Sequence, residues 1–418
     1  MSSENLNHSD NQLFTWNSAC DSNSYVFVTY IISTPVNGEQ AAYGIAREQS
    51  VCATHLPDVV VPEDISLYCS RVVSVERIDR SYPKIASTYF LNTPVYGKSV
   101  TSEQPNTYKI VIAYPELLFG KSLTRLWNNI FGEAHRLGYL TSIILTELKF
   151  PEAIAKRFVG PRYGVPGIRQ KLNVYDRPIL CRSARPANGL YTDDMLKLNE
   201  LVLTGGFDII KDDELTYDSP RSPFKDRVER MMAMKRKVED RTGEKKLYFA
   251  NIVEDISISL ELLDQAMEAG VDGVLVSSYA QGLSFVSEVR KRSDLLIFAH
   301  NTCGDALTRS TAWGVGDMVM AQLHRAAGAD LSVTPGAFCT SYQDPEFGAA
   351  FIRACQTEFG NCPPMLPIIQ GGKQPEGMAG YIKDVGSVDF MIIAATWLDH
   401  HPQGIQMGAK AFRDACKK

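Results

Sequence analysis

The sequence predicts an α/β protein in two parts: a ferredoxin-like α+β domain over residues 23–150, then a (β/α)8 TIM barrel over residues 151–418. Residues 1–22 precede them as a mobile or draped tail. Three observations carry this. The first part reads strand, helix, strand, strand, helix, strand, which is the βαββαβ order of the ferredoxin-like pattern. The second part holds eight short apolar runs over about 220 residues, separated by amphipathic segments. Polar residues follow nearly every one of those runs, at the strand ends where a barrel keeps its chemistry.

In order, residues 25–33 (YVFVTYIIS) are rich in β-formers, and residues 39–51 read as a helix after the turn residues Asn37 and Gly38. Residues 67–78 and 108–114 are strand-like, residues 123–137 have helical periodicity, and residues 140–150 return to a strand. The stretch 82–106, with its Pro and Ser, reads as a loop. The barrel runs are residues 179–181, 207–210, 247–252, 273–277, 295–300, 331–334, 365–369 and 390–395. Between them, residues 260–269 place apolar side chains at helical spacing. The polar residues at the run ends are Arg185, Lys211, Asp213, Glu214, Asn251, Ser277, His300, Asn301, Gln370 and Lys373.

Composition narrows the function. A net charge of −5 without a Lys/Arg-rich run argues against a nucleic-acid surface. No apolar stretch reaches the roughly 20 residues that span a bilayer, and the first twenty residues lack the charged start and apolar centre of a signal peptide. Nine scattered cysteines without a CxxC pair fit reduced thiols in the cytoplasm.

Residues 205–214, Gly-Gly-Phe-Asp-Ile-Ile-Lys-Asp-Asp-Glu, are the most informative stretch. An apolar run ends in Lys211, followed at once by Asp212, Asp213 and Glu214. Clustered carboxylates repel one another unless a hard cation or a basic side chain neutralises them. The residues alone admit two readings. One is a solvated acidic turn with a salt-bridged lysine; the other is a Mg²⁺ site in which Lys211 has taken up CO₂ as a carbamate and so become an oxygen ligand.

This motif resembles the activating-lysine motif of the Rubisco superfamily. The resemblance extends over most of the chain from about residue 25, through Asn128-Asn129-Ile130-Phe131-Gly132, Phe158-Val159-Gly160-Pro161, Arg177-Pro178-Ile179-Leu180, Gln370-Gly371-Gly372 and His401-Pro402-Gln403-Gly404. It implies Mg²⁺ held by carbamylated Lys211 with Asp213 and Glu214, while Asp212 turns away to a structural contact. It implies that His300 binds a substrate hydroxyl or relays a proton, and that Gly371 and Gly372 offer backbone N–H groups to an anion. Glu48 and Asn129 match residues that the family's N-terminal domain lends to the partner subunit, which implies a homodimer with shared active sites.

The chain departs from carboxylating members. Two lysine positions after the first barrel strand hold Arg185 and Ala187, and the stretch after Thr334 contains no lysine. An arginine position beside His300 is Asn301, a serine position is Gln370, and a Gly-Gly after the last strand is replaced around Ala395-Thr396-Trp397. A Thr-Trp pair of the family is Ala53-Thr54 here. Lys373, directly after Gly372, is a candidate replacement base or anion clamp, and Arg185 a candidate anion clamp. His400 and His401 are adjacent and point apart on regular structure, which disfavours a second metal. The pattern resembles form IV, the Rubisco-like proteins, with enolisation chemistry kept and carboxylation lost. It implies a small sugar-like substrate, a ketose phosphate or sugar acid. Two other readings stay open: decarboxylation of a 3-oxo sugar acid, and a non-catalytic ligand-binding protein.

Overall fold

The computed structural model describes residues 11–48, 50–51, 63–79, 106–310, 312–334 and 345–417. By contact the chain forms two compact units. One runs through Phe158 and takes in Ala306–Met320; the other comprises Val159–Asp305 and the chain from Ala321 onward.

The first unit is built on β1 (Tyr25–Thr34), β2 (Arg71–Ile78), β3 (Asn106–Pro115) and β4 (Ser142–Lys149). They pair antiparallel in the order β4-β1-β3-β2, which is the expected ferredoxin-like arrangement. Val28 in the middle of β1 lies opposite Ile112 of β3 and Leu148 of β4. The helix Gly38–Glu48 packs Ala41, Ala42, Ile45 and Ala46 into the core. Asn37 caps it, its side-chain oxygen accepting from the N–H groups of Glu39 (2.9 Å) and Gln40 (3.2 Å). The N-terminal segment is draped from residue 11 onward. Phe14 is fully buried, and Phe14 and Trp16 exchange backbone hydrogen bonds with Val72 at 2.8 and 3.1 Å.

The structure corrects three expectations here. The strand expected from residue 67 begins at Arg71, because Glu63–Tyr68 winds as a 3-10 helix. The helix expected over 123–137 is broken into an α-turn at Leu123–Trp127, a π-turn at Asn128–Gly132 and a 3-10 turn at Ala134–Arg136. A π-turn inserts an extra residue per turn. Here it accompanies a column of rings, with Trp127 stacked on Phe131 at 4.3 Å and Phe131 tilted against His135 at 4.2 Å. Finally the sheet has a fifth strand, β10 (Trp313–Val315), parallel to β4 with Gly314 opposite Ile144. The stretch 82–105, most of the expected loop, lies outside the described residues, as do Ala53 and Thr54.

The second unit is a closed barrel of eight parallel strands: β5 (Ile179–Ala184), β6 (Ile209–Asp212), β7 (Leu247–Asn251), β8 (Gly273–Val276), β9 (Leu296–Ala299), β11 (Leu331–Thr334), β12 (Leu366–Ile369) and β13 (Met391–Ala394). These match the eight apolar runs in number and order. Seven of the strands are buried on both faces at every residue, as parallel strands wrapped by helices require. Alternate residues point inward. The inward set includes Ile179, Cys181, Ile209, Leu247, Phe249, Phe298, Val333, Ile368 and Ile393, which form one apolar core.

Candidate active site

The alternation that fills the barrel also delivers its chemistry. Continuing the inward parity past Cys181, Ile209, Phe249, Phe298 and Ile368 gives Ser183, Lys211, Asn251, His300 and Gln370, all at or just beyond the C-terminal strand ends. The opposite parity sends Asp212 outward. Its carboxylate accepts from Tyr248 Oη (2.9 Å), Arg227 Nε (3.3 Å) and the Asn251 N–H (3.2 Å). Asp212 therefore makes the structural contact expected of it.

Lys211 is 1% exposed. Its Nζ donates to Glu214 Oε2 at 2.9 Å and to the Asp212 carbonyl at 3.1 Å. Burial alone would raise the Glu214 carboxyl, but the Lys211 ammonium, and after it His300, hold it down at about 2. Asp213 is tied differently. Its Oδ2 accepts from Ser183 Oγ (3.0 Å) and Arg185 Nε (3.2 Å), and its Oδ1 from the Leu215 N–H (3.1 Å). Asn251 Nδ2 braces the loop by donating to the carbonyls of Asp213, Glu214 and Thr216 at 3.2, 3.1 and 2.9 Å.

His300 completes the cluster, with Nε2 3.4 Å from Glu214 Oε2. Burial, reinforced by the Lys211 charge, lowers its pKa to about 3 against the opposing pull of Glu214 and Gln370. The ring is neutral at ordinary pH. The Thr302 N–H donates to Nδ1 at 3.0 Å, so Nδ1 carries the lone pair and the ring proton sits on Nε2. That Nε2 is buried and makes no well-aligned hydrogen bond among the described residues. It is a donor aimed at the cluster, poised to bind a substrate oxygen.

The other expected residues fall into place unevenly. Gln370 Nε2 donates to Asn301 Oδ1 (2.9 Å), and Asn301 Nδ2 to Asp305 Oδ1 (3.2 Å), so the two amides form one chain beside His300. Gly371 and Gly372 have φ of 78° and 59°, a left-handed pair that a side chain would strain. Lys373 is 2% exposed, with Nζ 5.3 Å from the Tyr381 ring centre. Asn129 sits in the π-turn of the first unit, its Nδ2 donating to the Arg125 carbonyl at 2.7 Å. Glu48 ends the helix Gly38–Glu48, and its side chain lies outside the described residues, as does the lysine-free stretch 335–344. His400 Nδ1 donates to the Thr396 carbonyl (2.8 Å), while His401 packs on Trp397 and its Nδ1 accepts from the Gln403 N–H. The pair thus makes separate local contacts.

Sequence reasoning missed Ser183 and Arg182. Arg182 is 1% exposed and donates to Asn199 Oδ1 (2.7 Å), to the Arg185 carbonyl (3.0 Å) and to Asp399 Oδ1 (3.1 Å). It fixes the backbone from which Arg185 projects. The inward or outward parity of β5 was the available signal for both.

A metal at this site needs Lys211. Among the described residues no three His, Cys, Asp or Glu side chains are grouped to hold an ion. Glu214 pairs with the Lys211 tip and Asp213 lies two residues on at the same strand end, and a carbamate on Lys211 would supply a third oxygen donor. The all-oxygen set suits a hard divalent cation, so the residues fit Mg²⁺ on a carbamylated lysine. A separate cleft of about 550 Å³ opens at the opposite, N-terminal strand ends, between Lys171, Arg177, Asp208, Glu244 and Arg413. Its carboxylates are already paired: Asp208 with Arg177 at 2.6 Å, Glu244 with Lys246 at 2.6 Å and with Arg413 at 3.0 Å. The chemistry therefore belongs to the strand-end cluster.

Residues 164–418 match the family described as ribulose bisphosphate carboxylase large chain, catalytic domain. A ribulose bisphosphate carboxylase-like protein of Allochromatium vinosum is 30% identical over 405 residues, covering 96% of this chain and 86% of that protein. The 2,3-diketo-5-methylthiopentyl-1-phosphate enolase of Bacillus pumilus is 31% identical over 311 residues, covering 73% of this chain and 75% of that enzyme. Among solved structures, octameric Rubisco from Pyrococcus horikoshii superposes with a TM-score of 0.85 at 26% identity, covering 97% of this chain and 91% of that one.

Proposed function

The chain belongs to the ribulose bisphosphate carboxylase large-chain family, among its Rubisco-like proteins, and from that premise we propose that it is a non-carboxylating, Mg²⁺-dependent enzyme that enolises or isomerises a small ketose phosphate or sugar acid. The observation that carries this is the convergence of Lys211, Asp213, Glu214 and neutral His300 at one mouth of the barrel. The enolase among its relatives supports the reaction class.

Lys211 as its carbamate, with Asp213 and Glu214, would hold the Mg²⁺. When bound, the ion withdraws electron density from a neighbouring carbonyl and so acidifies the adjacent C–H. The chain's own residues do the rest. His300 donates its Nε2 proton to a substrate oxygen, with the Thr302 N–H fixing the ring through Nδ1. Asn301 and Gln370 orient hydroxyls. The N–H groups of Gly371 and Gly372, with Arg185 and Lys373, receive an anionic group. The C–H proton would go to an oxygen of a Lys211 carbamate or, where Lys373 does not serve as the anion clamp, to its neutral amine. Glu48 and Asn129 of the partner subunit complete the site of a homodimer.

A second reading has one observation in its favour. His300 is fixed as a donor and Arg185 is bound to Asp213, so two groups near the mouth cannot take a proton. Decarboxylation of a 3-oxo sugar acid needs no C–H base. The test is NMR of ketose phosphates and sugar acids in D₂O. Enolisation predicts deuterium entering the carbon next to the carbonyl with the wild type and not with Lys211→Ala. CO₂ release from 3-oxo sugar acids without exchange in any ketose would replace the first reading by the second.

A further inference from the structure

Arg185 has an unusual set of ties. Its backbone is pinned, because its carbonyl accepts from buried Arg182 at 3.0 Å, and Arg182 is itself held by Asn199 and Asp399. Its side chain is 45% exposed, yet Nε reaches back to Asp213 Oδ2, on a carboxylate only 4% exposed. The same oxygen accepts from Ser183 Oγ, and the other from the Leu215 N–H. The guanidinium therefore covers the accessible side of one of the carboxylates assigned to the cation. A pinned backbone with a half-exposed, solvated head is the geometry of a group that can change partners.

We propose that Arg185 is shared between Asp213 and an anionic group of the substrate, and so couples cation binding to anion binding. Without the cation, Arg185 neutralises Asp213. A divalent cation on Asp213 displaces the guanidinium by competing for the carboxylate and by charge repulsion. The released Arg185, still anchored through its backbone, then faces the mouth as an anion receptor. By linkage, an anion that draws Arg185 away uncovers Asp213 and raises the affinity for the cation by the same factor. Arginine suits this exchange because it stays charged and its planar fork matches carboxylate and phosphate alike. Nothing in the exchange requires proton transfer, so the coupling persists across neutral pH. The inference deepens the proposed function and rests on its metal site.

Calorimetry on the full-length protein tests it, with Mg²⁺ plus bicarbonate and with inorganic phosphate as the anion probe. Wild type should bind phosphate about fivefold or more tightly once Mg²⁺ and bicarbonate are present, and Mg²⁺ tightly by the same factor once phosphate is present. Arg185→Gln should bind Mg²⁺ more tightly than wild type when phosphate is absent, because Asp213 is uncovered, and the mutual enhancement should vanish. Comparing the two proteins cancels any association of Mg²⁺ with phosphate in solution. Arg185→Gln with undiminished coupling, or with unchanged or weakened Mg²⁺ affinity, overturns the sharing of Arg185 and leaves the metal site standing. Absence of Mg²⁺ binding in both proteins overturns the metal site itself, and the inference with it. The Arg185 head is 45% exposed, so its replacement leaves the core untouched, and circular dichroism of Arg185→Gln checks the fold.

Discussion

Mg²⁺ and bicarbonate together should stabilise the barrel, while Mg²⁺ alone should not. In the structure the Lys211 ammonium occupies the cluster, 2.9 Å from Glu214 and 3.1 Å from the Asp212 carbonyl, with 1% exposure. An ion arriving alone meets that positive charge and finds Glu214 engaged. Carbamylation reverses the sign at the lysine tip and frees Glu214. A ligand at about 100 times its Kd stabilises the state that binds it by about 2.7 kcal/mol. For a domain of some 250 residues each kcal/mol moves Tm by roughly 2–4 °C, so the shift should be about 5–10 °C. The assay is a thermal melt in four conditions: neither addition, each alone, and both. Lys211→Ala is the control, and it should show no shift. Its own baseline should fall by about 3–5 kcal/mol, because Glu214 loses the partner of a buried pair, so the shift and not the absolute Tm is compared. Equal stabilisation by Mg²⁺ without bicarbonate, or a shift that survives in Lys211→Ala, refutes the carbamate.

Three further outcomes are expected. His300 and His324 have folded-state pKa values of about 3 and about 4 through burial. Each binds a proton on unfolding between those values and about 6.5, so stability should fall with acidification there, by up to about 1.4 kcal/mol per pH unit per histidine, and be fully present above 6.5. Urea midpoints of the barrel transition that stay level from neutral pH to pH ~5 would contradict this. Ribulose bisphosphate should not be carboxylated, since Arg185 and Ala187 replace proton-handling lysines; labelled CO₂ fixed above a no-enzyme control would refute it, and a single Arg185→Lys change should not create the activity because catalytic groups act as a unit. If the dimer shares its sites, inactive Glu48→Gln and inactive Lys211→Ala proteins, co-refolded, should recover part of the wild-type exchange activity, since a two-fold dimer then holds one intact site; confirmed mixed dimers without activity would place each site within one chain.

What was legible in the sequence was local or periodic. Lys211, Asp213 and Glu214 lie within four consecutive residues, and the eight barrel strands announce themselves as apolar runs because both of their faces are buried. What was hidden depends on distant partners. Ser183 and Asp213 are 30 residues apart, Arg182 and Asp399 are 217 apart, and no local pattern marks either pair. The π-turn at Asn128–Gly132 keeps the apolar spacing of a helix while breaking its hydrogen bonds, so periodicity read one helix across it. The tautomer of His300 follows from one backbone N–H two residues on, a contact set by loop conformation and not by residue type. Three-residue β10 is too short to show alternation.

That short strand sets an order on the making of the molecule. The sheet of the first unit draws four strands from the beginning of the chain and its fifth from residues 313–315, between β9 and β11. During synthesis the ribosome must therefore deliver most of the polypeptide before the sheet can close. Until then β4 keeps one row of N–H and C=O groups unsatisfied, an edge that invites pairing with another nascent chain. A truncated protein stopping at residue 158 would keep that open edge permanently. Such a fragment should self-associate along β4, however well the rest of its sheet has formed.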